Sequence, residues 1–292
     1  MKLLRMLLIL IILPPLLSGP QTGRPALAPG SLYAAETETG AFNTDSYQRV
    51  LRIYVNEQGL VNYARLAEDR ELLDNFVADI GALALDTYKA WPEPERLAFL
   101  INAYNAFTLR AVIDNYPIRG RRLAALLYPT SSIRQIAGVR DGLTFSLLGQ
   151  MMTLDHLENE ILRVEFQEPR LNLALARAAL GGPVLRGEPY SGADLETQLE
   201  DQTRSFLADP SSFRLNKDAG KIYLSQMFKW YGADFVPKYA VEGELEGVTQ
   251  VERAVLNFVG GYLGAEEKKF IISGPYKVKY FAFDWSLNEQ TE

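Results

Sequence analysis

The sequence predicts an α+β fold: one predominantly helical domain with a small, mainly antiparallel sheet. Three observations carry this. Apolar residues recur at helical spacing through most of residues 45–116 and again at 154–164, 192–207 and 248–263. Strand-like alternation is confined to short, scattered pieces, most of them late in the chain. No linker, repeat or low-complexity tract appears after residue 40, which favours a single domain over a doubly wound or multidomain arrangement.

Taken in order, Lys2 and Arg5 precede an apolar run from Met6 to Leu17, followed by a Gly/Pro/Ala-rich stretch to Ala35. This is a signal peptide pattern, and the run is too short for a comfortable membrane span. Cleavage is expected after Ala28 or, preferably, after Ala35. That divides the chain into a signal peptide at 1–35, a short linker at 36–41 and one domain at 42–292. Removing 1–35 takes away three basic residues and no acid, leaving 27 basic against 36 acidic residues, a net charge of −9. Such an acidic, exported chain is a poor nucleic-acid binder, although Arg119, Arg121, Arg122, Arg134 and Arg140 form a basic stretch that reads as a solvated loop. No later run is long and apolar enough to span a membrane. The expected location is therefore periplasmic or secreted. With no cysteine, the chain has no disulfide, thiolate metal site, thiol nucleophile or lipoprotein acylation site.

Asn43 or Thr44 is expected to cap a helix through Tyr54, and Gly59–Tyr63 then reads as turn and extended chain. A second helix is expected over about 64–80. Trp91-Pro-Glu-Pro94 introduces a long third one, ended by Pro117. Its residues Glu95, Ala98, Asn102, Asn105, Ala106 and Leu109 share about a third of the circumference, so two amides lie on a packing face. A buried amide without partners costs about 1–3 kcal/mol, so Asn102 and Asn105 should bond a neighbouring loop, water or a ligand. Leu143–Leu147 suggests a strand, Thr153 caps a helix from Leu154 to Val164, and Arg170–Ala179 reads as helical until Gly181-Gly-Pro183. A helix over 192–207 and a hairpin pairing Phe213–Leu215 with Ile222–Leu224 follow. A short aromatic helix at 225–231, a helix at 248–263 and a strand within 276–284 complete the chain.

Four stretches carry a resemblance: Gly59-Leu-Val-Asn-Tyr63, Leu97-Ala-Phe-Leu-Ile-Asn-Ala-Tyr-Asn-Ala106, Leu154-Asp-His-Leu-Glu-Asn-Glu-Ile-Leu-Arg163, and Leu224-Ser-Gln-Met-Phe-Lys-Trp-Tyr231 with Asp234-Phe235. Together with the ending Phe283–Asn288, they resemble the domain of unknown function 547 family over roughly residues 42–288. The resemblance transfers no settled activity. It does imply histidines where this chain has Asn159 and Asn172, and cysteines where it has Arg177 and Gly182. A thiol and imidazole chemistry would then be lost here, while asparagine keeps part of histidine's hydrogen-bonding shape and Arg177 adds a fixed cation with five donors. The implied protein is a divergent, non-catalytic binding or scaffold protein of the cell envelope. Its cleft would be formed by Asn102, Asn105, Asn159, Asn172 and Arg177, with Arg163 and Arg170 nearby, and would take a small molecule, peptide or glycan, such as one with an anionic or carbonyl group. The competing account is that these positions drifted into packing roles.

Other chemistries find little support. His156 is the only histidine and reads as a first-turn surface residue, and no nucleophile elbow, Walker loop or dinucleotide fingerprint is present. Asn216-x-Asp218-x-Gly220 lacks the downstream acid of a calcium loop. Neither a metal nor a cofactor is expected, and the reading leans away from an enzyme. An alternative is a hydrolase of envelope-type substrates using Glu95 and Glu158 as paired carboxylates, with a salt bridge to Arg163 or Arg170 as its bland competitor. A further alternative is a structural envelope protein with an exposed apolar patch and no pocket. The aromatics at 228–231 and 281–285 suit either a core or a groove wall.

Overall fold

The computed structural model describes residues 41–241, 245, 247–273 and 275–291. The expected signal peptide at 1–35, and the linker up to residue 40, lie outside the described residues.

Helix α1 (Asp45–Tyr54) buries Tyr47, Val50, Leu51 and Tyr54, the spacing expected of one apolar stripe. Its start is fastened by Asn43, whose side chain accepts from the Asp45 amide at 2.8 Å, and not by the Thr44 side chain. The single helix expected over 64–80 is two, α2 (Tyr63–Glu68) and α3 (Glu71–Ala82), with Asn62 capping the first. A short α4 (Leu85–Ala90) follows, which the sequence pattern did not reveal.

The long helix α5 (Glu93–Ile113) has buried residues at every position from Leu97 to Ile113 except Arg110, so it is the centre of the N-terminal core, while residues between Phe206 and Ile271, with Leu173, build a second hydrophobic cluster. Pro94 fits its first turn, where no intrahelical amide partner is lost. Strands β1 (Thr144–Leu147) and β2 (Gln150–Thr153) form a hairpin turned at Leu148 and Gly149, both at positive φ. That geometry is a primed turn. The two turn amides donate to the Ile80 and Gly81 carbonyls at 3.2 and 2.9 Å, satisfying acceptors left open at the end of α3.

The expected helix from Leu154 to Val164 is interrupted. Residues form α6 (Leu154–His156), then a π-turn over Leu157–Leu162, then α7 (Arg163–Glu165). Only Leu171–Ala174 of the expected 170–179 helix is helical (α8), because the chain from Leu175 turns extended and Ala178 takes a positive φ. Helix α9 (Leu195–Ala208) follows.

The expected hairpin forms as β3 (Phe213–Asn216) against β4 (Lys221–Leu224). Helices α10 (Gln226–Tyr231), α11 (Val236–Tyr239), α12 (Gln250–Gly260) and α13 (Ala265–Ser273) then intervene before β5 (Lys277–Tyr280), which joins β4 in parallel. Such a return requires a long connection, and the helices provide it. Two of the three pairings are antiparallel.

The chain end returns to the first turn. The Val61 amide donates to the Asn288 carbonyl at 2.9 Å, the Tyr63 hydroxyl to Asn288 Oδ1 at 2.8 Å, and Asn288 Nδ2 to the Gly59 carbonyl at 3.1 Å. Two of the stretches that carry the family resemblance, 225 residues apart, therefore hold each other. Gly59 sits at φ +71°, and a Cβ there would lie 2.3 Å from Val184 Cγ1 and 2.9 Å from the Leu185 amide nitrogen. We expect Gly59→Ala to cost at least about 1–2 kcal/mol in urea unfolding, from the left-handed backbone alone. A neutral result would show that the turn relaxes freely.

Candidate functional site

The π-turn places a carboxylate in the interior. Thr153 caps the segment through the His156 amide at 3.1 Å, and the Asp155 amide donates to the Arg140 carbonyl at 2.8 Å. Within the widened turn, Leu157, Glu158 and Leu162 are buried, and Glu158 is wholly enclosed. One-turn π segments of this kind occur often at functional sites.

Glu158 Oε2 accepts three hydrogen bonds: from the Tyr104 hydroxyl at 2.9 Å, Arg140 Nη2 at 2.9 Å and Arg177 Nη1 at 2.7 Å. Helix α5 supplies the tyrosine, the loop before β1 supplies Arg140, and the extended chain after α8 supplies Arg177. Burial by itself pushes the Glu158 carboxyl up, but the Arg177 and Arg140 guanidinium groups outweigh it and hold the carboxyl well below the usual range. Glu158 is thus an anion at neutral pH, with Oε2 saturated and Oε1 buried without a hydrogen-bond partner among the described residues. Burial keeps the Tyr104 and Tyr231 phenols above their ordinary value, so both remain protonated.

Arg177 is the less satisfied partner. Its guanidinium lies 4.9 Å from the Tyr231 ring centroid and 5.9 Å from that of Tyr104, two cation–π contacts. Its Nη1 carries the Glu158 bond, while Nε and Nη2 are buried with no hydrogen-bond partner among the described residues. Room for its stem comes from Gly182, where a Cβ would stand 2.9 Å from Arg177 Cβ. The two positions at which the family resemblance implies cysteines therefore lie side by side.

Arg177 forms part of the floor of a cleft of about 450 Å³. Tyr104 and Arg140 complete the floor. Trp230, Tyr231 and Trp285 line the cleft as well, with Tyr128 edge-on to Trp285 at 5.6 Å between ring centroids, and Ile133, Arg134 and Asn159 are also part of the lining. The Arg134 guanidinium rests 5.1 Å from the Tyr128 ring centroid and 5.4 Å from that of Trp285, and it has no carboxylate partner among the described residues. Against the cations Arg134, Arg140 and Arg177 stand Glu158 and the half-exposed Asp155, which is 3.1 Å from Arg140 Nη2. One positive charge is left over. The arrangement can bind an anion beside a flat apolar surface.

The residues singled out from the sequence divide into three groups. Asn159 and Arg177 line the cleft. Asn172 and Arg163 stand behind it in one network: Arg163 grips Asp234 through two bonds of 2.8 and 2.6 Å, Arg163 Nη1 donates to Asn159 at 2.7 Å, and Asn172 Nδ2 donates to Asp234 at 2.9 Å. Asn102, Asn105, Arg170 and Glu95 do not line it. Asn102 exchanges both amide bonds with the Tyr190 backbone at 2.8 and 2.9 Å, and Asn105 does the same with the Ala174 carbonyl and Ala176 amide at 3.0 and 2.7 Å. These amides are spent on backbone, which corrects the expectation that they converge on the cleft. Arg170 bridges Glu168 and Glu196.

The expected carboxylate pair does not form. Glu95 accepts from the Gly192 amide at 3.0 Å, whereas Glu158 bonds Tyr104, about 13 Å further along α5 by helical rise. Nor does Glu158 pair with Arg163 or Arg170; its partners are Arg140 and Arg177. Sequence reasoning missed Tyr104, Arg140 and Arg134 as site residues. The arginines were visible only as part of a basic stretch, and Trp230, Tyr231 and Trp285 only as members of the aromatic clusters.

Residues 88–207 match the model of a family described as Protein of unknown function, DUF547. The match contains Tyr104, Arg134, Arg140, Glu158 and Arg177, so the charged floor of the cleft belongs to the DUF547 segment. Trp230, Tyr231 and Trp285 lie beyond it, and these aromatic residues are added by the chain that follows. No curated protein and no solved structure matches the chain. Among the described residues there is no cluster of three or more acids and histidines suited to a metal ion, and no helix long and apolar enough to cross a membrane.

Proposed function

We propose that the protein is an exported, non-catalytic binding protein of the cell envelope whose cleft holds an anionic small molecule. The observation that carries this is the Arg177 guanidinium: buried, facing the cleft, and with two nitrogens unpartnered. Those two nitrogens have no open surface, so an anion in the cleft would bond Arg134 directly and would be held by Arg177 as a buried positive charge beneath it. The Trp230 and Trp285 rings offer a flat surface for the rest of the ligand. Glu158 is enclosed, with its Oε2 held by two guanidinium groups and a tyrosine, which makes it a poor proton shuttle and supports a reading of binding over hydrolysis.

Trp230 and Trp285 make the test direct. Titration with glucuronate, benzoate and inorganic phosphate is expected to give a saturable change in tryptophan fluorescence for at least one of them. In Arg134→Gln the affinity should fall about tenfold or more, the value of one hydrogen bond to a charged group. Arg134 has no carboxylate partner among the described residues, so this variant should keep its fold. Absence of a saturable response to any probe, together with no co-purifying mass in native mass spectrometry, would refute the binding role. Export is supported by Lys2, Arg5 and the apolar run 6–17. Intact mass of the protein recovered from a fractionated host should show the N-terminal segment removed.

A further inference from the structure

The most exposed large apolar side chains among the described residues sit together in a segment the cleft does not explain. Leu123, Leu126 and Leu127 are 82%, 80% and 76% exposed, around a single 3-10 turn at Ala124–Leu126. Immediately before them stand Arg119, Arg121 and Arg122, all exposed. From Asn115 to Arg140 the chain has five arginines and no acid, although the whole protein carries a net charge of −6. Basic charge and bare leucines are thus concentrated on one loop of an otherwise acidic chain.

The loop is built, not slack. Buried Gln135 closes its neck: Oε1 accepts from the Arg121 amide at 2.8 Å, while Nε2 donates to the Tyr128 and Pro129 carbonyls, both at 3.1 Å. Gly120 packs against Thr130, where a Cβ would come within 2.9 Å of Thr130 Cγ2. The conformation that exposes the three leucines is therefore held by a buried side chain at its base. An exposed leucine gains nothing from water, so three on one tip imply a surface that covers them.

We propose that the loop spanning residues 118–131 docks on the surface of an anionic phospholipid bilayer. Leu123, Leu126 and Leu127 enter the boundary between headgroups and acyl chains, and Arg119, Arg121 and Arg122 meet the lipid phosphates. Apolar insertion flanked by arginines is the chemistry of peripheral membrane attachment. The charge asymmetry fixes the orientation, because the acidic remainder is repelled by the same surface. An acidic protein partner would be met by the arginines but would not require the bare leucines. Since Tyr128 belongs both to this loop and to the cleft lining, docking also brings that part of the lining near the bilayer. The proposal rests on the loop alone and does not depend on the cleft binding a ligand.

The absence of cysteine allows a local test on the full chain. Leu126→Cys carries the only thiol, and an NBD fluorophore attached there reports its own surroundings whatever the N-terminal segment does. Vesicles of equal parts phosphatidylglycerol and phosphatidylcholine should shift the emission to the blue and raise its intensity, and pure phosphatidylcholine vesicles should leave it nearly unchanged. Adding Arg119→Gln, Arg121→Gln and Arg122→Gln should weaken the response about tenfold or more, and raised salt should do the same. Arg204→Gln, an exposed arginine elsewhere, should leave the response intact. An unshifted spectrum with anionic vesicles overturns the proposal. So does a blue shift that appears without vesicles and grows with protein concentration, which would assign the loop to a second copy of the chain.

Discussion

Glu158→Ala is expected to destabilise the protein by about 3–5 kcal/mol, the cost of breaking a buried ion pair by removing one partner. The carboxylate accepts from Tyr104, Arg140 and Arg177 at once, so its loss leaves two guanidinium groups facing each other and a buried hydroxyl without its acceptor. Arg177 fares worst, since two of its nitrogens already lack partners. Urea unfolding of the variant at neutral pH measures the effect. A loss below about 1 kcal/mol would place the pair among the weak surface interactions and remove its structural role.

The same site sets a pH dependence whose sign follows from the direction of the shift. The folded Glu158 carboxyl lies below its ordinary value of 4.5, so the folded state holds the proton less readily than the unfolded chain. Its contribution is complete above that ordinary value and is lost as pH falls toward the lower, folded value. Wild-type stability should therefore drop through the acid range. Glu158→Gln, which cannot titrate, should show a flatter acid limb, starting from a lower plateau at neutral pH. Parallel acid limbs in the two proteins would mean that other carboxylates dominate.

Several elements were legible because their signals are local. The stripe Tyr47, Val50, Leu51 and Tyr54 gave α1, and alternation about Asn216–Gly220 gave the hairpin β3–β4. The long helix was legible too, but not its neighbours: with nearly every position from Leu97 to Ile113 buried, periodicity could not say which face meets which segment. Hence Tyr104, between the two conspicuous asparagines and turned away from them, passed unnoticed. The π-turn was hidden for a related reason. Leu154, Leu157 and Ile161 keep helical spacing, and a widened turn changes the hydrogen-bond ladder without changing that pattern. The charged floor was out of reach because Tyr104, Arg140, Glu158 and Arg177 come from four segments that only tertiary packing joins. Family resemblance marked Arg177 as a changed position and could not show that Glu158 is its partner.

Asn105→Ala is expected to cost about 2–4 kcal/mol and also to weaken ligand binding, because two buried backbone groups lose their partners together. Asn105 takes the place of a neighbouring strand. Its Nδ2 donates to the Ala174 carbonyl and its Oδ1 accepts from the Ala176 amide, so it clamps the chain where α8 ends and extended backbone begins. The next residue is Arg177. A clamp one residue away decides where that guanidinium stands, which makes Asn105 a positioning residue even though its amide never meets the cleft. Asn102→Ala provides the comparison, since it removes an equivalent pair of bonds, to Tyr190, which does not line the cleft. Both variants should lose similar stability in urea. In the fluorescence titration only Asn105→Ala should shift the binding curve, by about tenfold if one charged hydrogen bond is misplaced. Equal binding by the two variants would show that the extended segment keeps Arg177 in place without the clamp, and the asparagines of α5 would then serve the fold alone.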